Sequence, residues 1–278
     1  EKYFKSTGET DTMINDITIG QYYPAKSSLH RLDPRVKFVG TIAFLISLFV
    51  ADSLWGYLLA TAFLAVVIVL SKVPVKFMMK GLKPLFFIFI LTVAFNLFLV
   101  PGKVVVQIWI LKITEEGIRQ AIKIGIRLIY LVMGSSVMTL TTTPNQLTDG
   151  LEKLMRPLNK IKVPVHEIAM MMSIALRFIP ILMEETDKIM KAQIARGADF
   201  ESGNLIKKAK NLIPLLVPLF ISAFRRADDL AMAMEARCYH GGDHRTSMKP
   251  LKYQNRDLMA YLILLVYLIA DIVLRIIL

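Results

Sequence analysis

One six-residue signature occurs twice in the chain. Ala192-Gln193-Ile194-Ala195-Arg196-Gly197 and Ala233-Met234-Glu235-Ala236-Arg237-Cys238 share the pattern Ala-x-x-Ala-Arg-small. Each closes a stretch that opens apolar and turns charged, and each runs into a turn signal: Gly197 in the first, Gly241-Gly242 after the second. A cation at a helix C-terminus is favoured by the helix dipole, and an arginine fork can make two parallel bonds to a carboxylate. Small neighbours let such a tip enter a groove. This is the chemistry of docking, not of bond-making, and its candidate residues are Ala195, Arg196, Gly197, Ala236, Arg237 and Cys238. A single copy would read as a helix end capped in water. Two copies in matching contexts favour a pair of docking tips. Glu184, Glu185, Asp187, Asp228, Asp229 and Glu235 lie close by, and a surface made only for anionic lipid would not carry them.

No catalytic arrangement can be argued from the remaining polar residues. His166-Glu167, His240 and His244 match no compact metal-ligand spacing. Cys238 is the single cysteine, so an intrachain disulfide and a zinc cluster are excluded. The chain holds no Gly-x-x-x-x-Gly-Lys-Ser/Thr phosphate loop of its own. The expectation is a non-enzyme with no cofactor or metal of its own. Asn96, Ser135, Ser136 and Thr139 to Thr143 are expected to bond to backbone or to a neighbouring helix. Asp271 is an acid within an apolar run, a functional candidate by position.

The elements that carry these residues follow from composition. The 278 residues are 55% apolar and 20% charged, with a net charge of +12 and a mean hydropathy of +0.52. Soluble domains are less apolar and more charged. A disordered tail, a collagen-like chain and a disulfide scaffold are ruled out, and a basic peripheral scaffold fits poorly with long apolar runs. The pattern predicts an all-α polytopic membrane protein with about five transmembrane helices. The spans are read at about 36–51, 54–70, 85–100, 117–143 and 258–278, each near the ~20 residues that hydrocarbon requires. The first two, broken at Asp52-Ser53, read as a tight helical hairpin. Val104 to Ile110 is β-branched and too short to span, so it reads as extended or interfacial. Residues 1–12 are polar, and Met13 reads as the natural start. With no signal peptide in view, the first span would serve as its own signal.

Basic residues orient the spans. Arg31, Arg35 and Lys37 precede the first; Lys72, Lys76, Lys80 and Lys83 fill the loop between the second and third. By the positive-inside rule the N-terminus and residues 144–256 face the cytoplasm. That central region holds 18 of the 34 basic and 12 of the 22 acidic residues. It reads as a cytoplasmic or interfacial module of long amphipathic helices: Pro144 to about Ile161, Pro164 towards Gly197, and about Leu205 towards Cys238. The domain plan is therefore a four-span membrane domain at 13–143, the module at 144–256 and a last span at 257–278. The methionines at 170–172, 183, 190, 232 and 234 suit a surface that repacks against more than one partner.

From Gln21 to Leu278 the chain resembles the transmembrane T component of energy-coupling factor transporters, prokaryotic importers of micronutrients. The resemblance rests on His30-Arg31-Leu32-Asp33-Pro34-Arg35, Arg177-Phe178-Ile179-Pro180, Ala192 to Gly197 and Ala233 to Tyr239. It departs at Cys238, where the family's signature has glycine. The resemblance implies two ABC-type ATPase subunits and a membrane-embedded, substrate-binding S component as partners in a cell membrane, with no nucleic acid involved. It also implies that Arg196 and Arg237 sit in grooves on the two ATPases and meet acidic side chains there. An equivalent subunit of a cobalt or nickel importer is the close alternative. A stand-alone secondary transporter is the distant one, because it would need polar groups lining a midplane path.

Overall fold

The computed structural model describes residues 22–51, 53–108, 111–198, 200, 206, 210–241 and 250–277, of which residues 105–108 and 111–112 by backbone alone. Residues 1–12 lie outside this set. The described residues form two compact units, one of residues 22–154 with 250–277 and one of residues 155–241.

In the first unit, helix α1 (Pro34–Val50) starts where the sequence supplies a stop for the incoming loop. Asp33 caps it by accepting from the Arg35 backbone N–H, and Pro34 occupies the first turn, where its missing N–H has no helical partner to lose. Helix α2 (Leu54–Ser71) starts on Ser53, whose hydroxyl accepts from the Gly56 N–H. A short α3 (Val75–Lys80) and a 3-10 turn (Lys83–Leu85) lead into α4 (Phe86–Leu99). Strands β1 (Val104–Ile108) and β2 (Leu111–Thr114) form an antiparallel hairpin with Ile108 opposite Leu111 and Gln107 opposite Lys112. The extended segment expected at Val104 therefore has a partner strand, which the sequence reading did not supply.

Helix α5 (Glu115–Thr141) begins on Thr114, which caps the Gly117 N–H. Glu115 and Glu116 sit in its first turn, where the dipole favours acids. Gly117 is required by contact with α4, since a Cβ there would stand 2.9 Å from the Leu97 carbonyl oxygen. Helix α6 (Pro144–Met155) opens with a reciprocal capping box: Thr143 Oγ1 accepts from the Gln146 N–H, and Gln146 Oε1 accepts from the Thr143 N–H, both at 3.3 Å. The last helix of this unit is the sequence's final span, Asn255–Ile277.

Helix α5 packs along α4 and α1, while α1 and α2 pack chiefly on α5 and on the Asn255–Ile277 helix. The tight α1–α2 hairpin expected from the short Ala51–Ser53 link is thus corrected. The two helices follow each other in sequence but find their main partners elsewhere. Phe44, Leu48, Ala60, Leu64, Leu264 and Tyr267 make the core, and the Ser47 and Tyr267 hydroxyls meet inside it at 2.7 Å. Outward-facing apolar residues are numerous: Phe49 is 61% exposed, Val69 74% and Phe87 74%. Such a surface suits hydrocarbon, where the backbone must be satisfied within each helix and the exterior needs no polar cover.

In the second unit, Pro157 tightens the end of α6 into a 3-10 turn (Arg156–Ile161), which leads to α7 (Val165–Ala195). Helix α8 (Ile213–Ala236) has Pro214 in its first turn. Pro180 lies inside α7 and Pro218 inside α8, each removing one helical N–H donor. The sequence expectation started this third stretch near Leu205, which lies outside the described residues. With α8 named, the Asn255–Ile277 helix becomes α9.

Among the described residues, five helical runs are long and apolar enough to cross a membrane: Leu54–Ser71, Val75–Leu99 (α3 through α4), Glu115–Thr141, Val165–Ala195 and Asn255–Ile277. The chain is an all-α polytopic membrane protein, as its composition predicts, with one small hairpin added. The set of five differs by one member from the expected set. Helix α7 enters it on length and composition. Helix α1, at 17 residues and so about 25 Å, falls at the short end of a span.

Candidate partner-binding tips

Both signatures end their helices in the same way. Helix α7 stops at Ala195 and α8 at Ala236, each followed by an arginine as C-cap. The Gly197 N–H donates to the Ile194 carbonyl at 2.9 Å and the Ala198 N–H to Gln193 at 3.0 Å. At the other tip the Cys238 N–H donates to Glu235 at 2.8 Å and the Tyr239 N–H to Met234 at 3.0 Å. This double closure, one bond nested inside the other, is the Schellman motif. It places the residue after each arginine in the left-handed region, with φ of +88° at Gly197 and +55° at Cys238. The caps leave Arg196 at φ −88° and Arg237 at φ −93°, nearly the same backbone. All six predicted residues are exposed, and neither arginine has an ion-pair partner among the described residues.

Contacts between the helices fix where the tips stand. Glu185 Oε2 pairs with an Arg226 guanidinium nitrogen at 3.6 Å, and Gln193 Nε2 donates to the Pro214 carbonyl at 3.4 Å. Moving forward along α7 therefore means moving backward along α8, so the helices run antiparallel. The ion pair sits ten residues before the end of each helix, a proline-free arm of about 15 Å. The two arginines accordingly lie at opposite ends of the pair, on the order of 30 Å apart. Few side chains are buried among the described residues of this unit; Val165, Ala169 and Leu215 are. Met171, Met172, Phe220, Ile221 and Phe224 are all exposed.

A second polar centre, whose wiring the sequence did not reveal, anchors α1 to the start of α9. The Asp33 carboxylate accepts from Arg35 Nε at 3.0 Å and Nη2 at 2.9 Å. The Asp257 carboxylate, 1% exposed, accepts from the Asp33 N–H at 2.9 Å and the Gln254 N–H at 2.8 Å. Lys37 donates to the His30 and Thr141 carbonyl oxygens at 3.2 and 2.8 Å. The Arg35 guanidinium lies 3.9 Å from the Tyr253 ring centre. Burial alone would raise the Asp33 carboxyl, but the bonds and charge of Arg35, with Lys37 beyond, hold it below its ordinary value. Burial lowers His30 below its ordinary value; its Nε2–H donates to the Tyr23 carbonyl at 2.9 Å, so Nδ1 accepts from the Ser27 hydroxyl at 2.6 Å.

Several of the remaining candidates bond locally, whereas the Thr142 hydroxyl and one Asp271 carboxylate oxygen are buried without a hydrogen-bond partner among the described residues. Ser135, Thr139 and Thr141 hydroxyls bond to carbonyls one turn back in α5, and Asn96 bonds to the Thr92 carbonyl. Asp271 is 2% exposed and packs against the start of α2. No group of three His, Cys, Asp or Glu among the described residues is placed to hold a metal; His244 lies outside them.

A family model described as CbiQ, cobalt transport protein, matches residues 25–248, which include both tips. The chain belongs to the CbiQ family. A relative from Thermosediminibacter oceani, named energy-coupling factor transporter transmembrane protein EcfT, is 56% identical over 249 residues, covering 90% of this chain and 94% of the relative. The protein of the same name from Clostridium kluyveri is 55% identical over 266 residues, 95% and 98% of the two chains. That from Bacillus subtilis is 48% identical over 246 residues, 88% and 93%. Within the CbiQ family this chain is thus an EcfT-type component of an energy-coupling factor transporter.

Proposed function

We propose that this EcfT-type chain is the non-catalytic coupling subunit of an ABC-type importer in the cell membrane. Two separate ATPase subunits hydrolyse ATP, and a membrane-embedded S component holds the micronutrient. Arg196 and Arg237 dock one ATPase each, through arginine forks on acidic side chains. ATPase closure moves the tips, α7 and α8 tilt about their contact at Glu185 and Arg226, and the S component resting on their exposed apolar faces follows. The N-terminus and the module at 144–256 face the cytoplasm, as the basic residues before α1 and after α2 favour.

The observation that carries this reading is the pair of identical arginine caps, exposed and held at opposite ends of one helix pair. One cation would be an ordinary helix cap. Two with the same closure, about 30 Å apart, suit two copies of one kind of partner. The family's description as a cobalt transport protein supports the cobalt importer as the second reading, whereas the relatives' names favour the general energy-coupling role.

The test is co-purification. Arg196→Glu with Arg237→Glu is expected to abolish ATPase association, each buried charge pair that is broken costing about 3 kcal/mol, while the chain still inserts in the membrane. Wild-type amounts of ATPase on the double variant would refute the docking role.

A further inference from the structure

The first unit encloses a cavity of about 190 Å3 between α1, α2, α5 and α9. Its lining is apolar along most of its length, including Phe63, Val67, Met138 and Ile263, and turns polar only at Lys37, Thr41 and Thr141. Three lining residues, Val66, Leu70 and Ile263, are also exposed, at 56%, 47% and 56%. The cavity therefore opens on the surface that faces hydrocarbon. Gly40 lines it, and a Cβ built there would meet nothing within 4 Å. A mid-helix glycine is costly relative to alanine, and here no close packing contact requires it; what it leaves is room.

We propose that this cavity holds one acyl chain of a phospholipid from the leaflet nearest the α1 start. A closed apolar cavity of roughly 150 Å3 stays dry and accepts a hydrocarbon guest, so the apolar length of this one favours a methylene chain over water. The bilayer offers hydrocarbon at the open side. Charge selects the lipid end. Leu32 and Leu70 line the cavity where α1 begins and α2 ends, and beside them Arg31 and Lys72 are exposed. A chain entering from that end leaves its phosphate between two cations, while its methylenes take up contacts that an empty cavity forfeits. The lipid then acts as a wedge between α1 and α2, which pack on α5 and α9 more than on each other.

The test uses the full chain in liposomes containing a phospholipid with a photoactivatable group near the end of one acyl chain. Crosslinks are expected at lining residues such as Phe63, Val67 and Ile263, above the level on the exposed face of α4 at Phe87 and Phe95. Lining labels no stronger than those on α4 would overturn the site, and that comparison needs no variant. Gly40→Leu, which fills the cavity, is expected to cut the lining labels roughly tenfold and leave α4 unchanged. Undiminished labelling in a folded Gly40→Leu would also overturn it. Gly40→Ala, a smaller plug, should give an intermediate loss. Arg31→Gln with Lys72→Gln should erase any preference for phosphatidylglycerol over a free fatty acid as competitor; an unchanged preference would refute the headgroup assignment.

Discussion

Cys238 holds a φ of +55° with a side chain that makes this conformation costly by roughly 1 kcal/mol. Its counterpart Gly197 reaches +88° in open space. Replacing Cys238 by glycine should therefore tighten the α8 cap, and Gly197→Ala should loosen the α7 cap without any clash. The amides that close the caps report this: exchange at Tyr239 should slow in Cys238→Gly, and exchange at Ala198 should quicken in Gly197→Ala, each about fivefold for 1 kcal/mol. Equal exchange in wild type and variants would mean that the caps carry no strain. A second consequence concerns acid. His30 is held below its ordinary value of 6.5, so the folded chain binds fewer protons there than the unfolded one. Its contribution is complete above about pH 6.5 and is lost as pH falls through the lower folded value. Asp33, also depressed, acts in the same direction at lower pH, its contribution disappearing below the ordinary 3.8 as the carboxylate protonates. The melting temperature should fall between pH 7.5 and 5.5, and His30→Gln should flatten that fall.

Among the elements, α7 and α8 were legible because their signals are local. Pro164 starts one helix and the small residues after Arg196 and Arg237 end both, so the expected and observed C-termini agree within two residues. The α1 boundary was also written locally, in Asp33-Pro34. What was not legible depends on distant partners. Asp33 and Asp257 are 224 residues apart, and no spacing rule joins them. Leu111–Thr114 is four residues long, too short for an alternation to announce a strand before β1 supplies its register. The crossing of α7 and α8 at Glu185 and Arg226 likewise appears only on folding. Asp33→Asn keeps an oxygen for the cap but removes the charge facing Arg35. A loss of about 2 kcal/mol is expected, read as a lower thermal midpoint in detergent, and a neutral variant would remove this network from the account of α1. Spin labels at Ala192→Cys and Ala233→Cys, in a Cys238→Gly background, lie seven residues beyond the crossing on either arm. They should stand roughly 20 Å apart along the helix axes, whereas a parallel pair would bring them within about 10 Å.

For the whole molecule, two kinds of surface divide the work. The first unit is apolar outside and locked inside by the Asp33, Arg35, Lys37 and Asp257 network. The second buries little of its own apolar surface and ends in two cations, an arrangement suited to partners and not to independent rigidity. Composition made the membrane class legible. It did not show that α7 meets the length and hydropathy of a span while α1, at 17 residues, stops short of that set, because Arg177 and the charged second half drew it towards the aqueous side. Nor did it flag Arg119, Lys123 and Arg127, which recur at four-residue intervals along α5. The proposed coupling role can be measured directly with the same two spin labels in the complete transporter. Binding of a non-hydrolysable ATP analogue should shorten the Ala192–Ala233 distance by several ångströms as the ATPases close. The same distance with and without nucleotide would contradict coupling through these tips.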